Sequence, residues 1–478
     1  MTGTGVGRSS DWATRIVGLD LELPLLDGRL ARYINLDNAA TTPPLREVLD
    51  AVLRFLPYYS SVHRGAGMKS RVSTAAYDEA HHTIARFVGA NTHTNTVIFG
   101  KNTTEAINKL SYRYPLPEDA IVLSTLMEHH SNDLPWRRRA RVVRATATSD
   151  GRLDEDDLDR LLETHRGRVA LVTVSGASNV TGFVQPIHRL ARKAHAHGAR
   201  ILVDAAQLAA HRPIDVKPDD DPEHLDFVVL SAHKMYAPFG TGALVGAKDV
   251  FQDSAPEYRG GGTVDVVTPD EVHWAGLPDR EEAGSPNAVG AIAMAAAARV
   301  LMDTGVATMQ SHEASLVAYA LERLRSVSGI RIYGESHPSG LSDRVGVIPF
   351  NLDGVPQALV AAILGYEGGI GVRNGCFCAQ PYVAHLLGVS SREAARLARQ
   401  SLMGDRSARP GMVRISLAAY NTVEDLDALV EMLIRITEGR YNGAYRQVPE
   451  SGDYVPDTPI TVLRPRPCHP EAAAVLPS

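Results

Sequence analysis

The amino-acid sequence predicts an α/β protein in which a large domain with a mostly parallel, doubly wound sheet precedes a smaller α+β domain. Between Ile34 and about Gly246, short runs rich in β-branched residues alternate with helical patterns. Near-continuous apolar runs of this kind are typical of strands buried on both faces, with helices as crossover connections. After an alanine-rich helix the pattern changes to strands beside longer helices, and 478 residues are too many for one compact core.

Five apolar segments of the first part are predicted strands, and the segments between them carry helix signals. PPLREVLDAVLRFL opens with prolines, and PIHRLARKAHAHG ends at Gly198, a residue type that commonly ends a helix. In the second part, strands are predicted within RVGVIPFNL, GIGVRNG and MVRISLAAY. The five strands of the first part are TVIFG (96–100), AIVLST (120–125), VALVTVSG (169–176), RILVDAAQ (200–207) and LDFVVLSAHK (225–234).

The domain boundaries follow these changes of pattern. Residues 1–30 are expected to form a loose N-terminal arm that leads into the large domain, residues 31–298. The small α+β domain is expected over residues 299–445. The proline-rich tail, residues 446–478, is expected to be extended or disordered because it offers few residues for a packed core.

Charge and composition exclude several partners and compartments. A net charge of −6 and a pI near 6.3 argue against nucleic acid and anionic membranes, since neither attracts an acidic protein. The alanine-rich run after Pro286 is too short and too rich in alanine to span a bilayer, and the first residues show no apolar signal core. Three cysteines, one of them far off at Cys468, make no disulfide framework, so a reducing cytoplasm is expected.

Polar side chains follow three of the predicted strands at their carboxyl ends, where open parallel sheets bind ligands. One of the three groups opens a predicted helix, whose free N–H groups favour an anion such as phosphate. A buried lysine, a carboxylate and a phosphate site together indicate pyridoxal phosphate (PLP), because lysine forms its Schiff base and a carboxylate keeps its pyridine nitrogen protonated. The residues are Asp204 and Gln207, then Ser231, His233 and Lys234, and at the helix start Thr103 and Thr104.

Ten motifs in a fixed order give the sequence a family resemblance. Together they resemble the class V aminotransferase fold family of PLP enzymes (fold type I) and, within it, the group II cysteine desulfurases. The resemblance runs from about Leu36 to Thr422, most of the chain. The motifs are LDNAATTPP, SVHRGAG, NTTEAIN, MEHHSNDLPW, SNVTG, VDAAQ, SAHKMYAPFGTG, EAGSPN, VRNGCFCAQP and VRISLAAYNT.

The resemblance implies a role for each cofactor-binding residue. Lys234 would form the Schiff base, Asp204 would pair with the pyridine N–H, and Gln207 would bond the ring oxygen. His129, the first histidine of MEHH, would stack on the ring and act in catalysis. The phosphate would be held by Thr104, Ser231 and His233, beside Thr103 at the predicted helix start, with Ser285 of one subunit reaching the phosphate of the other in a homodimer.

It also implies how the substrate binds. Arg414 would take the substrate carboxylate by a bidentate contact, a geometry that arginine offers and lysine does not. Asn179 would lie near the ring oxygen and the substrate, and Arg373 would be a further contact. His63 in SVHRG is expected near the mouth of the site, although a loop cap is an equal alternative.

Cys376 and Cys378 in GVRNGCFCAQP allow three interpretations. A metal site needs three or four ligands, and only His385 could join the two thiols, so no metal is expected. A redox pair lacks the C-x-x-C helix context. The resemblance favours a nucleophile, because its catalytic cysteine occupies the last but one position of VR-x-G-x-x-C-A, which is Cys378 here. Cys376 would then be a bystander or would resolve a persulfide.

The predicted function is removal of sulfur from L-cysteine through a persulfide on Cys378, giving alanine, with a protein as a possible sulfur acceptor. Two alternatives stay open. The first is another PLP reaction, either a C–S lyase acting on a cysteine conjugate or an epimerase of the isopenicillin N type. It stays open because the stretch between Cys378 and Arg414 is longer than in the resembled family. The second alternative is a catalytically silent PLP-fold scaffold for sulfur transfer.

Overall fold

A computed structural model describes residues 9–334 and 343–458 of the chain. The first eight residues of the predicted arm and the predicted tail beyond residue 458, with Cys468, lie outside the described residues. The helices are α1 (Ser9–Arg15), α2 (Arg46–Phe55), α3 (Met68–Phe87), α4 (Thr103–Arg113), α5 (Leu134–Arg137), α6 (Glu155–Thr164), α7 (Ile187–Ala196), α8 (Asp249–Gln252), α9 (Ala288–Thr304), α10 (Val306–Arg325), α11 (Gln357–Gly368), α12 (Gln380–Leu386), α13 (Ser391–Leu402) and α14 (Val423–Thr437).

The strands are short, and several pair far from their neighbours in sequence. They are β1 (Glu22–Pro24), β2 (Leu30–Arg32), β3 (Ile34–Asn35), β4 (Asn95–Gly100), β5 (Ile121–Thr125), β6 (Arg141–Ala145), β7 (Val169–Ser175), β8 (Arg200–Asp204), β9 (Phe227–Ser231), β10 (Gly242–Ala247), β11 (Val264–Val267), β12 (Val272–Trp274), β13 (Ile330–Ile332), β14 (Val347–Leu352), β15 (Ile370–Gly371), β16 (Arg373–Gly375), β17 (Met412–Ser416), β18 (Tyr445–Gln447) and β19 (Tyr454–Pro456).

A seven-stranded sheet in the order β4-β10-β9-β8-β7-β5-β6 forms the centre of the large domain. The pairs from β9 through β8, β7 and β5 to β6 are parallel, and β10 runs antiparallel to both of its neighbours. The predicted α/β class with a mostly parallel sheet is therefore confirmed. The parallel pairing also aligns the carboxyl ends of β8 and β9, which precede the predicted PLP residues.

Alternating side chains of this sheet enter two separate cores. In β8, Ile201 and Val203 pack into the larger core together with residues of α3, α7 and α9. Leu202 points to the other face, where α4 contributes Ile107 and Leu110. Helices thus cover both faces, which explains why these strands read as continuous apolar runs.

The second sheet is antiparallel, in the order β13-β14-β17-β16, and α10, α11 and α14 pack on it around a third core. Ile34 and Leu36 are buried in this core although the sequence assigns them to the large domain. The reason is that β3 pairs in parallel with β15. The chain therefore contributes to the third core, through a two-stranded pair with β15, before it enters the large sheet.

The alanine-rich run forms α9, which packs against α2 and α3 with most of its small side chains buried. Among the residues that the structure describes, no single helix is long and apolar enough to cross a membrane. Within the described residues, one pair of helices, α9 and α10, passes that test when the two are taken together, and this pair is bent by 83°.

Both ends of the described chain are ordered, which differs from the loose arm and extended tail expected from the sequence. Trp12 and Ile16 are buried in the large core, and the ring of Trp12 lies 5.7 Å from that of Tyr236. Residues of β18 and β19 form an antiparallel hairpin. Gln447 of this hairpin donates hydrogen bonds to the backbone carbonyls of Ser407 and Gly452.

Candidate active site

A cavity of about 470 Å³ lies at the carboxyl ends of β8 and β9, between the two sheets. The large domain supplies its floor, and the segments around β16 and β17 supply the opposite wall. Most of the residues predicted for the site line this single cavity. They are Thr103, Thr104, His129, Asn179, Asp204, Gln207, Ser231, His233, Lys234, Arg373, Cys378 and Arg414.

Lys234 lies in a short 3-10 turn directly after the fully buried strand β9. Its amine has no hydrogen-bond or ion-pair partner among the described residues, and it faces the cavity. Burial lowers the pKa of Lys234 to about 8; the charge of Arg414 acts in the same direction, and the carboxylate of Asp204 opposes both. A minor but significant fraction of the amine is therefore neutral, and hence nucleophilic, at neutral pH, and this fraction rises to about half near pH 8.

Asp204 ends β8 and is buried beside the cavity. Its Oδ1 accepts a hydrogen bond of 3.0 Å from the backbone N–H of Ala206. Burial raises the pKa of Asp204, while the Ala206 hydrogen bond and the charge of Lys234 oppose this rise. A cationic ring N–H is the partner that would restore full ionisation to such a carboxyl group. One turn on, Gln207 donates from Nε2 to the carbonyl of Ala39 at 2.6 Å.

His129 is neutral in this site. Burial, reinforced by the charge of Lys234, lowers the pKa of His129 to about 4. Its Nδ1 accepts the backbone N–H of Ser131 at 3.1 Å, so the ring proton belongs on Nε2. A neutral imidazole held at one nitrogen in this way presents a fixed ring surface to the cavity.

The amino end of α4 forms an anion cradle. Asn102 caps the helix by accepting the N–H of Glu105 at 3.0 Å, and the N–H of Thr103 donates to Ser231 Oγ at 3.0 Å. The hydroxyl oxygen of Thr103 is buried without a hydrogen-bond partner among the described residues. Thr104 Oγ1 lies 2.7 Å from Ser131 Oγ. Hydroxyls and a helix start at one end of the cavity are suited to a phosphate group.

Burial also lowers the pKa of His233 to about 4, and the charge of Lys234 adds to this effect. The side chain is therefore neutral and can donate one hydrogen bond into the cavity, which it lines. Its backbone carbonyl accepts hydrogen bonds from Thr41 and Thr42. These contacts tie the turn that carries Lys234 to the start of the large domain.

Arg414 is the buried cation of the opposite wall. Its two Nη atoms donate to the carbonyl of Asn179 and to Asp37 Oδ1, each at 2.8 Å. The guanidinium lies over the ring of Phe377, with its Cζ 4.9 Å from the ring centroid. Nε has no partner among the described residues. Burial lowers the pKa of Arg414, and its pair with Asp37 counteracts this.

Arg373 is paired with Arg414 across β16 and β17. It is more exposed than Arg414, and its Nε lies 3.8 Å from the second oxygen of Asp37. One carboxylate thus pairs with two arginines on the cavity wall.

Cys378 lines the cavity and is exposed, whereas Cys376 is half-buried in a different environment. Phe377 and Cys378 both have positive φ angles, +53° and +56°, which turn the loop sharply just before α12. Asn179 Nδ2 donates to the carbonyl of Phe377 at 2.7 Å, and the backbone N–H of His130 donates to the carbonyl of Cys378 at 2.7 Å. The thiol is therefore carried by a strained loop that two bonds hold in place.

Cys376 points away, with Sγ 3.2 Å from the carbonyl of Pro410. Burial raises the pKa of its thiol. The structure therefore brings only one of the two adjacent thiols to the cavity.

Two predicted site residues lie elsewhere in this chain. His63 contacts Asp78, with 2.8 Å between Nε2 and Oδ1, and lines a second depression together with Asp279. Ser285 is exposed beside Gly261 and Arg64. Neither side chain lines the cavity that contains Lys234.

Sequence reasoning missed several residues around the cavity. Asp37, in LDNAATT, and Phe377 became visible only through their contacts with Arg414. Asn102 could have been found, because an asparagine directly before a helix start is a common cap. Asp453 also lines the cavity, although it comes from the hairpin of the predicted tail, where no sequence signal marked it.

A free amine, a buried carboxylate on the adjacent strand and an anion cradle in one cavity define a PLP-dependent enzyme, and the residues present fit that cofactor. The family model described as Aminotransferase class-V matches residues 34–429. The chain belongs to this family, and it is accordingly a PLP enzyme.

Relatives and solved structures agree with this assignment. A cysteine desulfurase from Haloferax volcanii is 35% identical over 88% of this chain and 93% of its own length, and one from Dickeya dadantii is 36% identical over 84% and 91%. The apo structure of a cysteine desulfurase from Thermococcus onnurineus is similar with a TM-score of 0.76, 29% identity and coverage of 92% of this chain and all of that one. A cysteine desulfurase from Escherichia coli gives a TM-score of 0.73 at 28% identity, covering 91% and 99%.

Proposed function

We propose that this protein is a cysteine desulfurase, which removes the sulfur atom of L-cysteine and leaves it as a persulfide on Cys378. The observation that carries the proposal is that the Cys378 thiol lines the same cavity as the free amine of Lys234 and the buried guanidinium of Arg414. A nucleophilic thiol, an amine and a carboxylate anchor are the groups this reaction needs. The relatives named above support L-cysteine as the substrate.

The two walls of the cavity would bind and orient the cofactor and the substrate. Asp204, Gln207 and the α4 cradle would hold PLP, and Lys234 would bind it covalently. Arg414 would bind the substrate carboxylate from the cavity wall, while Asp37 and Asn179 fix the guanidinium plane. The substrate is thereby oriented between the lysine and Cys378.

When it is bound, PLP supplies an electron sink for the Cα of an amino acid attached to it. Lys234, once released by the substrate, is the base for the Cα proton, since its pKa of about 8 leaves it partly neutral. Neutral His129 keeps its own proton on Nε2. The sulfur of Cys378, as thiolate, then bonds to the substrate sulfur as the Cβ–S bond breaks and the electron pair of that bond stays on the substrate carbon skeleton. The proton lost by the Cys378 thiol is balanced by one gained at Cβ, and return of the Cα proton from Lys234 completes alanine.

We further propose a homodimer, a protein sulfur acceptor and a cytoplasmic location. Ser285 is exposed and remote from the cavity of its own chain, which supports a role at the site of a second copy. The exposure of Cys378 supports transfer of its sulfur to a partner. Free thiols at Cys376 and Cys378 are compatible with a reducing compartment.

A product screen tests the reaction. Holoenzyme and Cys378→Ala would be incubated with L-cysteine, selenocysteine and S-substituted cysteines, and alanine and sulfide would be quantified by mass spectrometry and a sulfide assay. We expect alanine from L-cysteine with the wild type and almost none with Cys378→Ala. Alanine and sulfide formed at the full rate by Cys378→Ala would refute the persulfide step.

One observation favours a second candidate, a C–S lyase for cysteine conjugates. The long segment before Arg414 contacts the hairpin β18–β19 through the carbonyl of Ser407, and Asp453 of that hairpin joins the lining of the cavity. These additions could shape a pocket for a larger substituent on sulfur. In the same screen, this function predicts faster turnover of S-substituted cysteines than of L-cysteine, and no dependence on Cys378.

A further inference from the structure

Three side chains converge at the end of the large sheet opposite to the PLP cavity. His195 comes from the last turn of α7, and His224 and Asp226 come from the segment that enters β9. His195 Nε2 lies 2.9 Å from Asp226 Oδ2, and His224 Nε2 lies 3.4 Å from Asp226 Oδ1. The three donor atoms lie within 4.8 Å of one another.

Hydrogen bonds and ring stacking hold these three side chains in place. His195 Nδ1 donates to the carbonyl of Pro222 at 2.8 Å, which directs the other ring nitrogen towards the carboxylate. A backbone carbonyl is the partner that commonly orients a metal-bound histidine. The two imidazoles are stacked, with centroids 4.9 Å apart and planes 29° apart. The N–H of Ile201 donates to Asp226 Oδ2 at 2.9 Å and fixes the third group.

An ordinary histidine–carboxylate pair one half-turn further along the chain gives a comparison. His197 Nε2 meets Glu163 Oε1 at 3.0 Å, and the side chain of Glu163 is 57% exposed. Asp226 is only 6% exposed and meets two imidazoles rather than one. Arg200 approaches Asp226 at 3.6 Å, but its guanidinium forms hydrogen bonds with Asp249.

We propose that His195, His224 and Asp226 form a binding site for a divalent transition-metal ion, with zinc as the expected ion. Two imidazole nitrogens and one carboxylate form a donor set that suits zinc, with the fourth position open to water. Zinc bonds of about 2.0–2.2 Å require only small movements of donors that are already this close.

The expected role of the ion is structural. It would join the end of α7 to the segment before β9, and through Ile201 to β8. Strand β8 ends at Asp204, and Lys234 follows the carboxyl end of β9, so the ion would lie at the opposite ends of β8 and β9 from the PLP cavity. The sequence argument against a metal site concerned Cys376, Cys378 and His385. The proposed zinc site contains none of these residues.

Metal titration of the holoenzyme tests the site. Cys378→Ser would serve as the background protein, because it removes the exposed thiol that would otherwise compete for the ion. Zinc would be titrated by calorimetry, and Co²⁺ would be used as a probe whose visible bands report nitrogen and oxygen ligands. We expect one ion per chain, and loss of either histidine in His195→Ala or His224→Ala to weaken binding at least ~10-fold.

His197→Ala is the matched control, since it removes a neighbouring histidine of the same segment that also pairs with a carboxylate. It should bind zinc as tightly as the background protein. Added zinc should raise the thermal unfolding midpoint of the background protein and of His197→Ala but not of His224→Ala. The proposal is overturned if the background protein binds no stoichiometric ion, or if His197→Ala weakens binding as much as the other two variants.

Discussion

The lysine of the cavity has an amine whose proton is held weakly. Burial lowers its pKa to about 8, so the protonated form, which cannot attack an aldehyde, predominates only below that pH. We therefore predict that capture of PLP by the apoprotein becomes about tenfold faster per pH unit in acid solution and levels off near pH 8. The growth of the visible absorbance band measures this rate, and Lys234→Ala should show no band.

An ordinary lysine would behave differently, since its pKa lies near ~10.4. A capture rate that continues to rise to that pH would contradict the buried, cation-facing environment of Lys234.

The carboxylate that positions Arg414 has a predicted effect of its own. Asp37 accepts from the guanidinium at 2.8 Å, and a charged hydrogen bond of this kind contributes about 1.5–3 kcal/mol. Asp37→Asn should raise the KM for L-cysteine about 10-fold or more without removing the PLP absorbance. Steady-state kinetics measures the effect, with Asp50→Asn on the exposed face of α2 as control.

Asp37 would have only a structural role if Asp37→Asn reduced PLP affinity, thermal stability and substrate affinity to the same degree. An unchanged KM would show that Asp37 does not position Arg414 for the substrate.

Residue-scale prediction from the sequence succeeded where a side chain follows a recognisable strand or motif. Lys234, Asp204 and Ser231 each end an apolar run, and the structure brings them into one cavity. Asp37 and Phe377 could not be found in this way, because their importance comes from contacts with Arg414, far away in sequence. The different surroundings of Cys376 and Cys378 depend on two positive φ angles that no local pattern revealed.

At the scale of elements, β10 explains how the cofactor cradle fits against the sheet. Gly242 lies so close to the start of α4 that an added Cβ would be 2.6 Å from the Cα of Asn102 and from the carbonyl oxygen of Leu230. Because β10 is rich in glycine and alanine, a pattern of β-branched residues does not identify it as a strand. The helix start that would hold the phosphate is thus set by backbone contact with β10.

Gly242→Ala should therefore displace the cradle. We expect a loss of about 1–3 kcal/mol in the free energy of unfolding, together with weaker PLP binding. Chemical denaturation and fluorescence titration of the apoprotein with PLP measure the two effects.

Gly365→Ala in α11 is the control, because nothing lies within 4 Å of an added Cβ there. It should gain about 0.4–1 kcal/mol in stability and keep its PLP affinity. Equal behaviour of the two variants would contradict the close packing at Gly242.

The whole molecule places its cavity between two sheets that are built from distant parts of the chain. The parallel strands bring the lysine and aspartate together, and the antiparallel sheet delivers Arg414 from the opposite side. Alternating strand and helix patterns were sufficient to predict β4, β5, β7, β8 and β9 of the first sheet. The placement of Ile34 and Leu36 in the third core, and the hairpin that adds Asp453, depend on long-range pairing that local patterns do not contain.

The proposed homodimer leads to a prediction at this scale. Ser285 does not line the cavity of its own chain, so a direct contact with PLP requires a second copy. Ser285→Ala should weaken PLP affinity about 10-fold, because it would remove one hydrogen bond to the charged phosphate. The dimer seen by sedimentation should not change. Ser315→Ala, on the exposed face of α10, should leave the affinity unchanged. A monomeric wild type, or unchanged affinity in Ser285→Ala, would contradict this role.

The position of sulfur after one turnover tests the proposed reaction most directly. Holoenzyme would be incubated with L-cysteine without reductant, alkylated, digested and analysed by peptide mass spectrometry, with Cys376→Ala and Cys378→Ala in parallel. We predict one additional sulfur atom on Cys378 in the wild type and in Cys376→Ala, and none on the peptide of Cys378→Ala. Alanine formation with no sulfur retained on Cys378, or with sulfur retained on Cys376 instead, would contradict the account.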